Sequence, residues 1–119
     1  SMRGWRTKSG KFVTVHANAN VLMPWRATIA AMAHRAWTGE PSGLPISVTF
    51  VFNMMRPKSA KKSAMWPITR PDGDKLVRAV LDALTGICYH NDAQVVQIYA
   101  TKVYAATPML IATVKEMAA

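Results

Sequence analysis

The chain has a single cysteine, Cys88, which excludes an intrachain disulfide and any paired-cysteine zinc site. It has no apolar run near the roughly 18 residues of a membrane-spanning helix and no signal-like opening, so the expected setting is the cytoplasm, away from any membrane. No Gly-rich loop leads into a Lys-Ser or Lys-Thr pair, which argues against a phosphate-cradling nucleotide site. No serine sits in a nucleophile elbow, which argues against a triad hydrolase. The histidines His16, His34 and His90 share no metal-like spacing, and structural or surface roles are expected for them. Acidic residues are scarce as well: six stand against fifteen Lys and Arg.

What is present is a chain of 119 residues, half of them hydrophobic. That length supports one core and one domain, 1–119, and that apolar content argues against a disordered basic tail. The net charge of +9 points to a polyanionic partner, with nucleic acid the first candidate. Eight methionines fit flexible core filling, with some at an interface.

Residues 1–11, "SMRGWRTKSGK", read as a flexible basic start. Arg3, Arg6, Lys8 and Lys11 there suit backbone phosphates, and Trp5 suits a stacked base or a packing contact. "KFVTVH" alternates enough for a short strand, and "ANAN" supplies a turn. Residues 24–37 read as a helix with Pro24 in its first turn and Trp25, Ile29, Met32, Ala33 and Ala36 as its apolar stripe. Residues 46–54, "ISVTFVFNM", read as a central strand. The stretch 55–71 carries five positive charges, three prolines and one tryptophan. It has no amphipathic period and is expected to be a long basic loop, with Arg56, Lys58, Lys61, Lys62 and Arg70 placed to follow phosphates. "DKLVRAVLDAL", residues 74–84, is the clearest helix, burying Leu76, Val77, Val80, Leu81 and Leu84. "CYHND" forms a turn, and two strands follow: "AQVVQIYATKVYA" and its expected antiparallel partner "PMLIATVKEM". The architecture expected is α/β (α+β), a small mixed sheet with two main helices. Trp25 and Trp37 are expected in the core, with Trp66 unassigned.

Four of the six acidic residues, Asp72, Asp74, Asp82 and Asp92, fall within 21 positions, where an even scatter would place about one. Asp72 and Asp74 stand two apart as an extended segment enters a helix, and Asp92 precedes a strand. Two carboxylates on one face of the extended segment, joined by Asp92, can converge on a hard cation such as Mg²⁺. Helix capping and the helix dipole account for the first two equally well, so both readings stay open. Asp82 is assigned to an ion pair with Arg78 or to support of the following turn.

"RPDGDKLVRAVLDALTGICYHNDAQV" resembles the signature of the RusA family of Holliday junction resolvases. That signature is a D-x-D-N-x-x-K start, an LDAL helix, and a D-D-x-Q-V turn entering a strand. The resemblance implies a homodimeric, Mg²⁺-dependent (or Mn²⁺-dependent) endodeoxyribonuclease that cuts paired strands at four-way DNA junctions. It implies a cytoplasmic, DNA-associated protein of a bacterium or a phage. It places metal-binding, catalytic aspartates on Asp72, Asp74 and Asp92 and the catalytic basic residue on Arg78. Three departures stand out: Lys75 replaces the usual Asn, Arg78 the usual Lys, and Asn91 the first Asp of the pair. The opening "SMRGW" also differs from the apolar strand with which the family usually begins. Lys75 joins the basic residues named above as a candidate DNA contact. The alternatives are a junction-binding module with weak or no activity, and a metal-dependent phosphohydrolase acting on other nucleic acids.

Overall fold

The computed structural model describes residues 7–15 and 22–119, so the expectations for Arg3, Trp5, Arg6, His16 and the "ANAN" turn lie outside the described residues. Four strands and two helices follow in the order β1 (Ser9–Val15), α1 (Leu22–Ala36), β2 (Ile46–Met55), α2 (Gly73–Leu84), β3 (Val95–Ala105) and β4 (Met109–Glu116). The sheet order is β1-β4-β2-β3. The fold is a mixed-sheet α+β architecture, as the sequence leads one to expect.

One expected pairing is corrected. β4 does not pair with β3: it lies between β1 and β2, antiparallel to both, while β3 pairs with β2 in parallel. The three residues separating β3 from β4 suit a hairpin, but β2 offers β4 a fully apolar inward row, and the pairing follows that burial.

Strand β2 presents Ile46, Val48, Phe50 and Phe52 to the helices, all buried, and β4 adds Leu110, Ala112 and Val114 on the same side. Against them α1 lays Trp25, Ile29 and Ala33, and α2 lays Leu76, Ala79, Val80, Leu81 and Leu84. Both tryptophans expected in the core are there, Trp25 at 2% and Trp37 at 4% exposure. The ring of Trp25 packs 6.0 Å from that of Phe52, which is itself 6.2 Å from Phe50.

Helix α2 stops where Thr85 turns extended and both its amide and its hydroxyl donate to the Leu81 carbonyl. Gly86 then adopts φ +85°, a conformation costly for any residue with a Cβ, and returns the chain toward the sheet. Tyr89 follows, fully buried, and its hydroxyl donates to the same Leu81 carbonyl at 2.7 Å.

Phe50→Ala should lower stability by about 3–5 kcal/mol through lost burial and the cavity left behind. In a domain of this size that corresponds to a melting point lower by roughly 12 °C or more, readable by thermal unfolding.

Burial pushes the Cys88 thiol up from 9.0 to about 12, against a weaker downward pull from the Lys8 cation. The Tyr89 phenol is pushed up by burial too, opposed by its hydrogen bond with Thr85. An unfolded thiol ionises from about pH 9 while the folded one keeps its proton to about 12. Its contribution to stability is therefore complete below about pH 9 and is lost as pH rises toward 12. Denaturant midpoints should fall over this range, and Cys88→Ala should flatten part of the slope.

Candidate functional site

The four aspartates lie on the connection from β2 to β3. Asp72 is the N-cap residue of α2, extended at φ −66° and ψ 140°, yet its side chain makes no capping hydrogen bond. Its carboxylate faces outward, and Lys75 Nζ lies 3.9 Å from it, its one ion pair among the described residues. Asp74 sits in the first turn of the helix, where the helix dipole favours negative charge.

Asp92 opens a short 3-10 turn, Asp92–Gln94. Arg78 reaches from α2 to Asp92, guanidinium nitrogen to carboxylate oxygen at 3.5 Å. The expected Arg78–Asp82 pairing is corrected: Asp82 pairs instead with Arg26 of α1 at 3.4 Å. Asp82 nevertheless lines, with Thr85, His90, Asn91 and Asp92, a surface depression of about 340 Å³. Setting Asp82 apart by helical spacing missed this proximity, which only the return of the chain after Gly86 creates.

Among the described residues, no three His, Cys, Asp or Glu side chains gather as a ready-made metal cage. Pairs of carboxylates share a locale: Asp72 with Asp74 at the start of α2, and Asp82 with Asp92 beside the depression. Mg²⁺ takes hard oxygen donors and can be held by one or two carboxylates together with substrate phosphates. The donor set fits such an ion. The cations now against Asp72 and Asp92 are in exposed pairs, worth no more than about 1 kcal/mol each, and so are readily exchanged for a phosphate or a metal.

Two residues to which the sequence assigns no role, Gln94 of the D-D-x-Q-V turn and Lys102, hold the carboxylate-bearing segments in place. Gln94 accepts from the amides of His90 and Asn91, both at 2.9 Å, and donates to the carbonyls of Ser42 at 2.8 Å and Leu44 at 2.9 Å. All four partners are backbone groups, and they tie the turn before Asp92 to the loop preceding β2. Asn91 completes the turn by accepting from the Ala93 amide at 2.8 Å, the backbone role open to the residue replacing an aspartate. Lys102 of β3 donates to the carbonyls of Thr69 and Pro71, both at 2.8 Å. It thereby fixes the chain, including a cis Arg70–Pro71 peptide, immediately before Asp72. A lysine within a strand carries no periodic signal, and only tertiary structure exposes its role.

The expected DNA contacts divide. Lys11, Lys58, Lys61, Lys62, Arg70 and Lys75 are exposed. Arg56 is exposed but also donates to the Ala64 carbonyl at 2.7 Å and lies 5.4 Å over the Tyr104 ring. Lys8 is engaged at the end of α1, donating to the Thr38 and Glu40 carbonyls and lying 4.4 Å over the Trp37 ring.

The start of α2 thus presents two exposed carboxylates, Asp72 and Asp74, bordered by a loop of exposed lysines and arginines, a charge pattern that suits a nucleic-acid backbone. A family model described as endodeoxyribonuclease RusA matches residues 2–115, and the chain belongs to this family. The uncharacterized protein YqaN of Bacillus subtilis (strain 168) is similar, 36% identical over 62 residues, which is 52% of this chain and 44% of that protein. The chain thus spans under half the length of this curated relative. No helix among the described residues is long and apolar enough to cross a membrane.

Lys102→Met should loosen the segment before α2 by about 1 kcal/mol, the net worth of a partly exposed hydrogen bond, and leave the β2 core untouched. Hydrogen exchange followed by mass spectrometry checks this: peptides spanning 66–76 should exchange faster, and those of β2 should not change.

Proposed function

We propose that this chain is a divalent-metal-dependent endonuclease that resolves four-way DNA junctions. The observation that carries the reading is the exposed Asp72 and Asp74 carboxylates at the start of α2, neither used in capping the helix, flanked by the exposed lysines and arginines of 55–71, in a member of an endodeoxyribonuclease family. Asp72 and Asp74 would hold Mg²⁺ or Mn²⁺. Asp92 is the third proposed ligand, released from its weak pair when Arg78 turns to a phosphate. When bound, such an ion lowers the pKa of water and neutralises charge on the scissile phosphate.

Arg78 stabilises the negative charge developing on phosphorus. Its planar guanidinium serves as a fixed charge with paired N–H donors and not as a general acid. Lys75 adds a second positive charge beside the carboxylates. The basic loop holds backbone phosphates, so binding should weaken steeply with salt and depend on junction shape.

The reading includes one nuclease domain, a homodimer in which each protomer supplies one active site, and a cytoplasmic, DNA-associated setting. Among the described residues β3 is an edge strand, and its Val96, Ile98 and Tyr99, 60%, 48% and 57% exposed, form a surface of the kind that an assembly covers. The ion pairs at Asp72 and Asp92 favour one further reading, a module that binds junctions without cutting them.

The deciding measurement is cleavage of a synthetic four-way junction, with and without Mg²⁺, beside linear duplex of the same arms. Symmetric Mg²⁺-dependent nicks confined to the junction, reduced at least about a hundredfold in Asp74→Asn, are expected; metal-assisted steps lose several kcal/mol with a ligand. Tight junction binding without nicks would establish the non-cutting module instead.

A further inference from the structure

The loop 55–71 carries more than positive charge. Trp66 is 57% exposed and Ile68 91% exposed, while Pro67 between them is buried. The two flanking backbone positions are tied to the same strand. The Met65 carbonyl accepts from the Tyr104 amide at 2.9 Å. The Thr69 carbonyl accepts from Lys102 Nζ at 2.8 Å. Residues 66–68 are therefore a short apolar projection, seated on a buried proline and fastened to β3 on both sides. Ile68 precedes Asp72 by only four residues.

Large apolar side chains held outward at such cost in exposed surface call for an occupant. The surroundings specify its chemistry. Lys58, Lys61, Lys62 and Arg70 on the same loop are exposed, so the ligand is polyanionic overall and offers an apolar face where the projection meets it. Nucleic acid with unstacked bases meets both requirements. Intact duplex keeps its base faces stacked, whereas apolar wedges enter where a step is opened or already weak.

We propose that Trp66 and Ile68 form an apolar prong that stacks against unpaired bases at the branch point of the junction. The lysines and Arg70 hold the adjoining phosphates, and Asp72 is brought beside the strand that leaves the branch. This inference rests on the junction reading above and adds the feature that separates branched from linear DNA. A fixed prong discriminates by shape, since linear duplex must first be unstacked, at a cost that the branch point has already met.

The test uses the full chain without divalent metal and a junction carrying 2-aminopurine at the branch point. Binding is expected to raise the 2-aminopurine fluorescence, and Trp66→Ala with Ile68→Ala should abolish the rise. Preference for the junction over linear duplex of the same arms should fall about tenfold, the scale of one lost stacking contact. Both side chains are exposed, so the melting point should hold. Trp66→Phe with Ile68→Leu, which keeps the apolar surface, should retain the signal. Lys61→Ala with Lys62→Ala should weaken binding to both DNAs alike.

A double alanine variant that keeps both the fluorescence rise and the preference would overturn the prong while leaving the junction reading standing. Absence of any junction preference in the unaltered chain would overturn both. If sedimentation finds a dimer that the alanine variant converts to monomer, the projection is a subunit contact and the proposal is wrong.

Discussion

The parallel pairing of β2 with β3 is the constraint on which the rest of the molecule depends. Parallel neighbours cannot be joined by a hairpin, so the chain must leave the end of β2, cross the sheet, and re-enter at the start of β3. Residues 56–94 make that crossing. They contain the basic loop, α2, Arg78, four of the six acidic residues, and the turn held by Gln94. The inward face of the crossing is fixed by burial of Leu76, Val80 and Leu84 in the common core. Its outward face is then free to carry charge, because the sheet and α1 already supply the core.

The two ends of the crossing are secured differently, and each device suits what it holds. At the α2 end, Lys102 provides a single cation to two carbonyls, placing positive charge beneath a segment that leads into Asp72. At the β3 end, neutral Gln94 meets four backbone groups and adds no charge beside Asp92. The Asp92 carboxylate is then left to Arg78 alone among the ion pairs of the described residues. Backbone clamps of this kind hold position without using the carboxylates themselves, which is a requirement for any site that must exchange partners.

Legibility from sequence followed the range of the forces involved. Helix α2 was readable because its apolar spacing is local and strong, and β2 because its residues suit a pleated, half-buried surface. The family signature was readable because it is a contiguous run from Arg70 to Val95. The pairing of β3 and β4 was misread because strand partners are chosen by burial across the whole sheet, and adjacency in sequence only biases that choice. Helical spacing offers Asp82 a pair with Arg78, beside a role in supporting the following turn, but Arg26 on another helix takes it and Arg78 turns to Asp92. The roles of Lys102 and of the signature residue Gln94 are hidden from the sequence because their partners are carbonyls and amides, which have no residue identity. Trp66 was unassigned because exposure cannot be read from a loop without knowing what fastens it.

The scarcity of acid in so basic a chain now has a physical interpretation. Charge balance and cation binding present themselves as rivals when the cluster is read as a string, yet in three dimensions they are one arrangement. Lys75 and Arg78 lie against Asp72 and Asp92 at 3.9 and 3.5 Å, so the carboxylates are balanced while no substrate is present. These pairs are exposed and weak, and a phosphodiester offers the same cations a stronger partner of the same sign as the carboxylates. As the cations turn to phosphate, the carboxylates lose their balance and gain affinity for a divalent ion. Binding of DNA and binding of metal are thereby coupled through shared counter-charges. An arginine at 78 can meet a phosphate with two N–H donors at once, which favours that exchange over its single contact with Asp92.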